Sequence, residues 1–504
     1  MVLLGSWTTD LLAVVALLFA ILYYFLTSTH NFWKKKGVPY IKPSFPFGNF
    51  GRSFSGRVNF NVQFEDFYPV FKKTGYGGVY NAREPVLVIC DPEMIKQVIT
   101  KDFSSFHDRG LPYDEENDPF SANLFNLAGP RWKALRAKLS PTFTSGKIKG
   151  MFPLIQECSE NLKKCIRSET QKHNGSVEMK DLLVRYTTDV IGTCAFGVNC
   201  NSLNDPNAEF HRMGREIFRS SVSNILRFLL TSIFPKLAAY LTFKGLFSKQ
   251  TEFFTTLMDK TIKYRKENNV QRNDFVQLMM NILDEETTGE SFNQEILTAQ
   301  AFLFFLAGLD NVANNVCYCL HYIAVDPDLQ NRVHKEISTV LENHEGKLTY
   351  ESLGKMDIVS RVVDEGLRMF TPAGVLMRKL TDDRYIIPGT DIKLKKGTGI
   401  MIPTHCLHYD EEYFPNPKKF DPDRFTEEEK AKRHPYSYLP FGEGPRFCIA
   451  SRFAQLEMRL CLAELIRTFE FSVAPETDLT LQQDPRAFGP TPKKGFWLRA
   501  TERA

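Results

Sequence analysis

One short stretch near the carboxyl end constrains this chain more than any other. Residues 441–450, FGEGPRFCIA, set two glycines and a proline ahead of Cys448, and a segment with Phe453, Leu456, Leu460 and Ala463 on one helical face follows. The turn residues require a tight loop that delivers one cysteine to a helix start. There, backbone N–H groups without helical partners and the positive end of the dipole favour a thiolate over a thiol, and a thiolate can ligate a metal. Elsewhere a lone cysteine reads as a small buried hydrophobe, as for Cys90, Cys158 and Cys461. Ten cysteines with no CxxC do not form a secreted disulfide framework.

Size and composition allow such a site a large body. The 504 residues are 43% hydrophobic, and forty-two phenylalanines suggest a core or cavity built from large apolar surfaces. A net charge of +4 gives no argument for nucleic acid.

The amino-terminal organisation reads in three parts. Residues 11–26, LLAVVALLFAILYYFL, are uninterrupted apolar sequence slightly short of a full span, so residues 1–30 are predicted to be a membrane signal anchor. No basic residue precedes the run and no A-x-A site follows it, which argues against a cleaved signal peptide. Trp33 and Lys34 to Lys36 follow, placing Trp33 at the membrane interface and the rest of the chain on the cytoplasmic side. Residues 31–50, with Pro39, Pro43 and Pro46, form a basic, proline-rich hinge. The remainder, 51–504, shows no internal repeat and no second linker and reads as a single catalytic domain.

Within that body, Gly78 to Tyr80 and Val86 to Ile89 predict a hairpin, and Asp91-Pro92 predicts an N-cap with proline at the first helical position. A second β-rich stretch covers 378–407. Most other segments have helical periodicity. Residues 221–248 read as a helix pair in the core, with contact to a membrane surface as the alternative. The uncharged run 296–309 is too short for a span and reads as a buried helix. It ends in Asp310, Asn311, Asn314 and Asn315, the last two expected to hydrogen-bond neighbouring backbone.

FGEGPRFC resembles the FxxGxRxC loop of the cytochrome P-450 superfamily, in which the cysteine is the axial thiolate of a haem iron. Three further motifs resemble the family's in the same order along the chain. Glu365 and Arg368 in VVDEGLRMFTP match its ExxR helix. Arg424 in FDPDRF matches the arginine that completes a buried triad with that pair. Trp132 and Arg136 match its WxxxR helix, where both residues reach a haem propionate. The resemblance implies a mainly α fold with small β-sheets, a long central helix over haem and an N-terminal anchor. By position it assigns Cys448 to the iron, Arg378 and Arg446 to propionates, and Phe441 to the haem loop. Segments such as DFSSFHDRG and MDIVSRVVDEGLR are similar to those of microsomal insect enzymes of the detoxification type, families six and nine.

The function so implied is insertion of one oxygen atom from O2 into lipophilic small molecules, xenobiotic or endogenous. Haem (iron protoporphyrin IX) is the cofactor, and NADPH is used indirectly through a cytochrome reductase, with cytochrome b5 as a second partner. The location implied is the endoplasmic reticulum membrane. Arg131, Lys133, Lys138, Lys432 and Arg433 are candidates for docking an acidic reductase surface. Substrate contacts carried over by position are Phe106, Phe125, Phe302, Phe305, Ala373, Leu376 and Phe488.

Residues 307–312, AGLDNV, match the family's oxygen-activating segment, with Gly308 the glycine that lets the helix open and Asp310 the acid. Two departures stand out: Asn311 and Val312 replace threonine and a hydroxyl residue, and Ala450 replaces a glycine two residues after the cysteine. An amide carries donor and acceptor on separate atoms and cannot relay a proton by hydroxyl rotation. That keeps two alternatives open: a haem-thiolate isomerase or dehydratase acting on hydroperoxides without a reductase, and a haem protein that only binds lipophilic ligands.

Overall fold

The computed structural model describes residues 7–116, 118–218, 248–272, 274–284, 292–485, 487 and 489–503. The predicted helix pair at 221–248 and the substrate candidate Phe488 therefore lie outside the described residues, apart from Ser248 at the start of a helix. Helices of ten or more residues are α1 Trp7–Thr27, α2 Gly129–Leu139, α3 Ser145–Lys172, α4 Met179–Ile191, α5 Glu209–Phe218, α6 Ser248–Glu267, α7 Phe275–Asp284, α8 Gln294–Val325, α9 Pro327–Glu342, α10 Asp357–Met369 and α11 Ser451–Thr468. The strands are β1 Tyr76–Asn81, β2 Glu84–Ile89, β3 Ser176–Glu178, β4 Leu376–Lys379, β5 Gly399–Ile402, β6 Phe469–Val473 and β7 Trp497–Glu502. Helix dominates and the sheets are small, as the resemblance implied. The chain divides into two compact units, Met1–Gly110 with Gly374–Leu407, and Leu111–Ala373 with His408–Ala504.

In the first unit β1 and β2 form the antiparallel hairpin, Tyr76 opposite Ile89 and Asn81 opposite Glu84, turning at Ala82 with its φ of 50°. Pro85 lies ahead of Val86, where parallel pairing to β5 begins, so its missing N–H costs that ladder nothing. The sheet order is β1-β2-β5-β4. The Asp91 carboxylate then caps a short helix, accepting from Met94 N at 2.7 Å with Pro92 at the first turn. Only 6% of the most apolar stretch of α1 is buried, against 61% for α8, which separates a helix left to another solvent from a core helix.

Trp33 is not an interfacial residue. Its ring is fully buried against Gly78, where an added Cβ would come within 2.4 Å of the indole, and its Nε1 donates to Val79 O at 3.0 Å. A buried indole needs an acceptor for its N–H, and the β1 carbonyl supplies one.

The second unit is built around α8, whose 32 residues span about 48 Å. Asn293 caps it by accepting from Ile296 N at 2.9 Å. Helices α4, α6, α10 and α11 pack on it. Its inward face meets α5 and α6 through Phe302, Phe305, Phe210 and Phe254, with ring centroids 5.0–5.8 Å apart. Each such buried ring contributes roughly 1.5–3 kcal/mol. The second sheet is antiparallel, with β7 between β3 and β6.

Candidate functional site

Gly442 and Gly444 both adopt left-handed backbone, φ 72° and 73°, conformations that a side chain would disfavour. They fold the loop so that Cys448 N donates to Phe441 O at 2.9 Å, leaving the half-buried Cys448 just ahead of α11. Ala450 is the N-cap of α11 with φ −97°, so nothing in the backbone there calls for glycine. Phe447 beside the cysteine is exposed, and Phe441 is partly so.

Two arginines frame this loop. Arg446 is buried, its guanidinium 4.0 Å from the centroid of the Trp132 ring and its Nη2 donating to Leu127 O at 2.8 Å. Arg136, one turn after Trp132 on α2, donates from Nη1 to Phe447 O at 2.9 Å and lies over the Phe447 ring at 5.0 Å. Burial lowers its pKa below the usual arginine value, and the charge of a Cys448 thiolate acts in the opposite direction.

In the first unit Arg378 is a buried residue of β4. It donates from Nη1 to Met377 O at 2.8 Å, while its Nε is buried with no hydrogen-bond partner among the described residues. Burial pulls its pKa down to about 10. Taken by itself, a buried guanidinium with no anion beside it among the described residues is a donor set that a carboxylate of a bound group completes; in the second unit, a loop that carries a half-buried cysteine and exposed aromatic rings suits a flat apolar macrocycle. On these observations the residues present fit haem.

Glu365 and Arg368 are both fully buried on α10. Arg368 Nε and Nη2 donate to the Glu365 carboxylate at 2.6 and 2.9 Å, and Arg368 also donates to the carbonyls of His408 and Pro417 at 2.7 and 2.8 Å. Glu365 Oε1 further accepts from Asp421 N at 2.8 Å and faces Arg424 Nε at 3.4 Å. Arg424 in turn donates to Pro415 O and Asn416 O. One carboxylate and two guanidiniums thus tie α10 to the segment 408–424, which leads toward the cysteine loop.

On α8, Asp310 makes an ion pair with Lys180 of α4, and Asn314 joins both, accepting from Lys180 and donating to Asp310 Oδ2 at 2.7 Å. Asn314 therefore does not bond backbone as expected, because Lys180 and Asp310 offer charged partners a turn away. Asn315 also differs from the expectation: its Oδ1 accepts from Cys319 Sγ at 3.6 Å and its buried Nδ2 has no partner among the described residues. Lys180 was missed. Its signal was a lysine in the first turn of a helix, against the dipole, which calls for a specific acid.

Asn311 is exposed, as is Ala307 one turn before it, and its Nδ2 donates to Ala307 O at 2.8 Å. Helix α8 runs unbroken through Gly308, so the expected opening is not seen. The glycine instead allows Ile191 of α4 to approach, an added Cβ meeting Ile191 Cδ1 at 2.6 Å.

The substrate candidates separate by burial. Phe106 is fully buried in the first unit, edge-on to Tyr385 at 4.6 Å. Phe302 and Phe305 are core, held on the inward face of α8. Phe125 is 44% exposed, Ala373 is exposed and Leu376 is half-buried. Among the docking cations, Arg131 is turned into a two-pronged pair with Glu115 at 2.7 and 2.6 Å, and Arg433 lies over Phe414 and Phe425 at 4.7 and 5.0 Å. Both are engaged within the fold. Lys133 is exposed, Lys432 is exposed and pairs with Glu429, and Lys138 is half-buried near Phe292.

A family profile described as Cytochrome P450 matches residues 47–499. The chain is similar to cytochrome P450 9e2 of Blattella germanica, 39% identical over 519 residues that cover 97% of each chain. It is also similar to cytochrome P450 6a2 and probable cytochrome P450 6a13 of Drosophila melanogaster, 38% and 39% identical over 97% of this chain and 98% of each relative.

Proposed function

This chain belongs to the cytochrome P450 family, a haem-dependent monooxygenase, and from that premise we propose which of its residues carry the work and on what. Cys448 would be the iron's protein ligand, Trp132, Arg136 and Arg446 would hold the propionates with Phe441 in the same loop, and Arg378 is assigned to them by its position in the family's pattern. Bound haem supplies activation of dioxygen and transfer of one oxygen atom to a substrate. The observation that carries this reading is the cysteine loop, with its two left-handed glycines and the Arg136 and Arg446 guanidiniums around it.

The chain's own residues then bind, shield and move protons. The Glu365–Arg368–Arg424 cluster stiffens the approach to the loop. Asp310, held by Lys180 and Asn314 on separate carboxylate oxygens, is the acid of the proton path. Asn311, on the exposed face of α8, supplies an amide where a hydroxyl would relay, and a water or a substrate group completes the path.

Substrates are lipophilic small molecules such as insecticides, plant toxins or endogenous lipids, met by Phe125, Ala373 and Leu376. Electrons come from NADPH through a cytochrome reductase, with cytochrome b5 as a second donor, docking on Lys133, Lys138 and Lys432. Helix α1 anchors the chain in the endoplasmic reticulum membrane with the body on the cytoplasmic face.

The test is a reduced carbon-monoxide difference spectrum of the membrane-bound enzyme, paired with turnover. A thiolate-type Soret band that is lost in Cys448→Ser, and product formation that requires NADPH and reductase, are expected. Persistence of the band in the variant sinks the ligand assignment. Turnover of a lipid hydroperoxide with no electron donor, and none with NADPH, favours the isomerase instead.

A further inference from the structure

Residues 120–127 form a strap in which two asparagines fold the backbone on itself, while Ser121 ties its start to the preceding turn through Asp114 N and Asp118 O. Asn123 Nδ2 donates to Phe120 O at 2.9 Å, its Oδ1 accepts from Phe125 N and Asn126 N at 3.0 and 3.2 Å, and Asn126 Nδ2 donates to Ser121 O at 3.0 Å. Such a strap has a defined shape but needs outside contacts to have a defined place.

Beyond that turn, two side chains from distant parts of the chain supply them. Arg446 of the cysteine loop takes Leu127 O at one end. At the other, Gln300 of α8, which is fully buried, accepts from Leu124 N at 2.7 Å through Oε1 and donates through Nε2 to Ala122 O at 3.3 Å and Ile296 O at 2.7 Å. Gln300 thereby satisfies a donor and an acceptor of the strap while pinned to its own helix, an arrangement no apolar residue reproduces. The Phe120 ring packs on Phe302 of α8 at 5.4 Å, closing the seam. Between the two anchors Phe125 is the one exposed side chain of 120–127.

We propose that Gln300 is a positioning residue that sets substrate selectivity by holding the strap against α8, and so fixing where the Phe125 ring stands. The proposal rests on Phe125 being a substrate contact. Without the Gln300 amide, Leu124 N and Ala122 O lose buried partners, and the strap shifts until both find water. The Phe125 ring moves with it, and the apolar wall it presents to a lipophilic molecule changes in depth rather than in chemistry.

The experiment uses the membrane-bound holoenzyme and a homologous series of alkyl aryl ethers, methyl to hexyl, comparing Gln300→Met, Phe125→Ala and the double variant. All are expected to keep the thiolate-type carbon-monoxide spectrum. Gln300→Met is expected to change the ratio of kcat/KM between long and short chains by about fivefold or more, mostly in KM. Phe125→Ala should change it too, and the double variant should match Phe125→Ala alone, because Gln300 acts through that ring. Amide exchange at Leu124 should quicken in Gln300→Met.

Should Gln300→Met not retain haem, Gln300→Glu, which keeps an acceptor for Leu124 and loses the amide donor, takes its place in the comparison. A silent Gln300→Met beside an active Phe125→Ala overturns the positioning role, as do additive effects in the double variant. A silent Phe125→Ala with an intact spectrum removes the substrate contact itself, and the proposal with it.

Discussion

The Arg446 guanidinium stands 4.0 Å from the centroid of the Trp132 ring, joining the cysteine loop to α2 face-on. A buried cation over an indole contributes about 0.5–2 kcal/mol, and here it also sets the direction of the remaining donors. Trp132→Ala is therefore expected to lower the haem-to-protein ratio and Trp132→Phe to preserve most of it, measured on purified enzyme by absorbance.

The Glu365–Arg368 pair has no water to fall back on. Removing one member leaves the other charged and buried, a loss of about 3–5 kcal/mol. Arg368→Leu and Glu365→Gln should both give protein that fails to accumulate in folded form. Arg368→Lys should fare little better, because one ammonium cannot replace the donors that reach Glu365, His408 O and Pro417 O together. Recovery of soluble, haem-loaded Arg368→Lys at the wild-type level would count against this account.

Asn311 is where oxygen chemistry should depart most from that of a threonine-bearing enzyme. Asn311→Thr restores a hydroxyl at an exposed position of α8 and gives up the bond to Ala307 O, a carbonyl already used by the helix. Hydrogen peroxide released per NADPH oxidised is expected to fall clearly in the variant; an unchanged yield would contradict the role given to the amide.

Glu457 on α11 is fully buried, and neither carboxyl oxygen has a hydrogen-bond partner among the described residues. Burial pushes its pKa well above the ordinary glutamate value. The unfolded chain releases this proton near pH 4.3, so stability falls as pH rises from there toward the raised native value, about 1.36 kcal/mol per pH unit. Glu457→Gln removes that slope. Urea midpoints should favour the variant at pH 8 and converge with wild type below pH about 4.

What was legible in the sequence was whatever sits within one helix or one loop. The cysteine loop, the Glu365–Arg368 spacing, the hairpin and the Asp91 cap each depend on residues a few positions apart, where turn chemistry and helical period act directly. Long-range partners were not legible. Lys180 and Asp310 are separated by 130 residues, and Asn314 looked incidental until both were beside it. Trp33 was misread because a tryptophan between an apolar run and a lysine cluster suits a membrane interface as well as a core. The phenylalanines of α8 stood equally as substrate contacts and as core, because composition cannot tell which face of a buried helix meets a neighbouring helix.

The burial of Trp33 also determines how much slack the amino-terminal helix has. Five residues separate Thr27 from Trp33, a reach of at most about 20 Å. Much of even that is taken up, since Tyr23 packs on Phe45 at 5.3 Å and Phe25 lies under Arg83 at 3.9 Å. Were α1 placed in a bilayer, as proposed above, the first unit would have no leash on which to swing into bulk water. Its encounters with membrane-dissolved molecules would then be a search in two dimensions, in which affinity for the lipid phase counts as concentration.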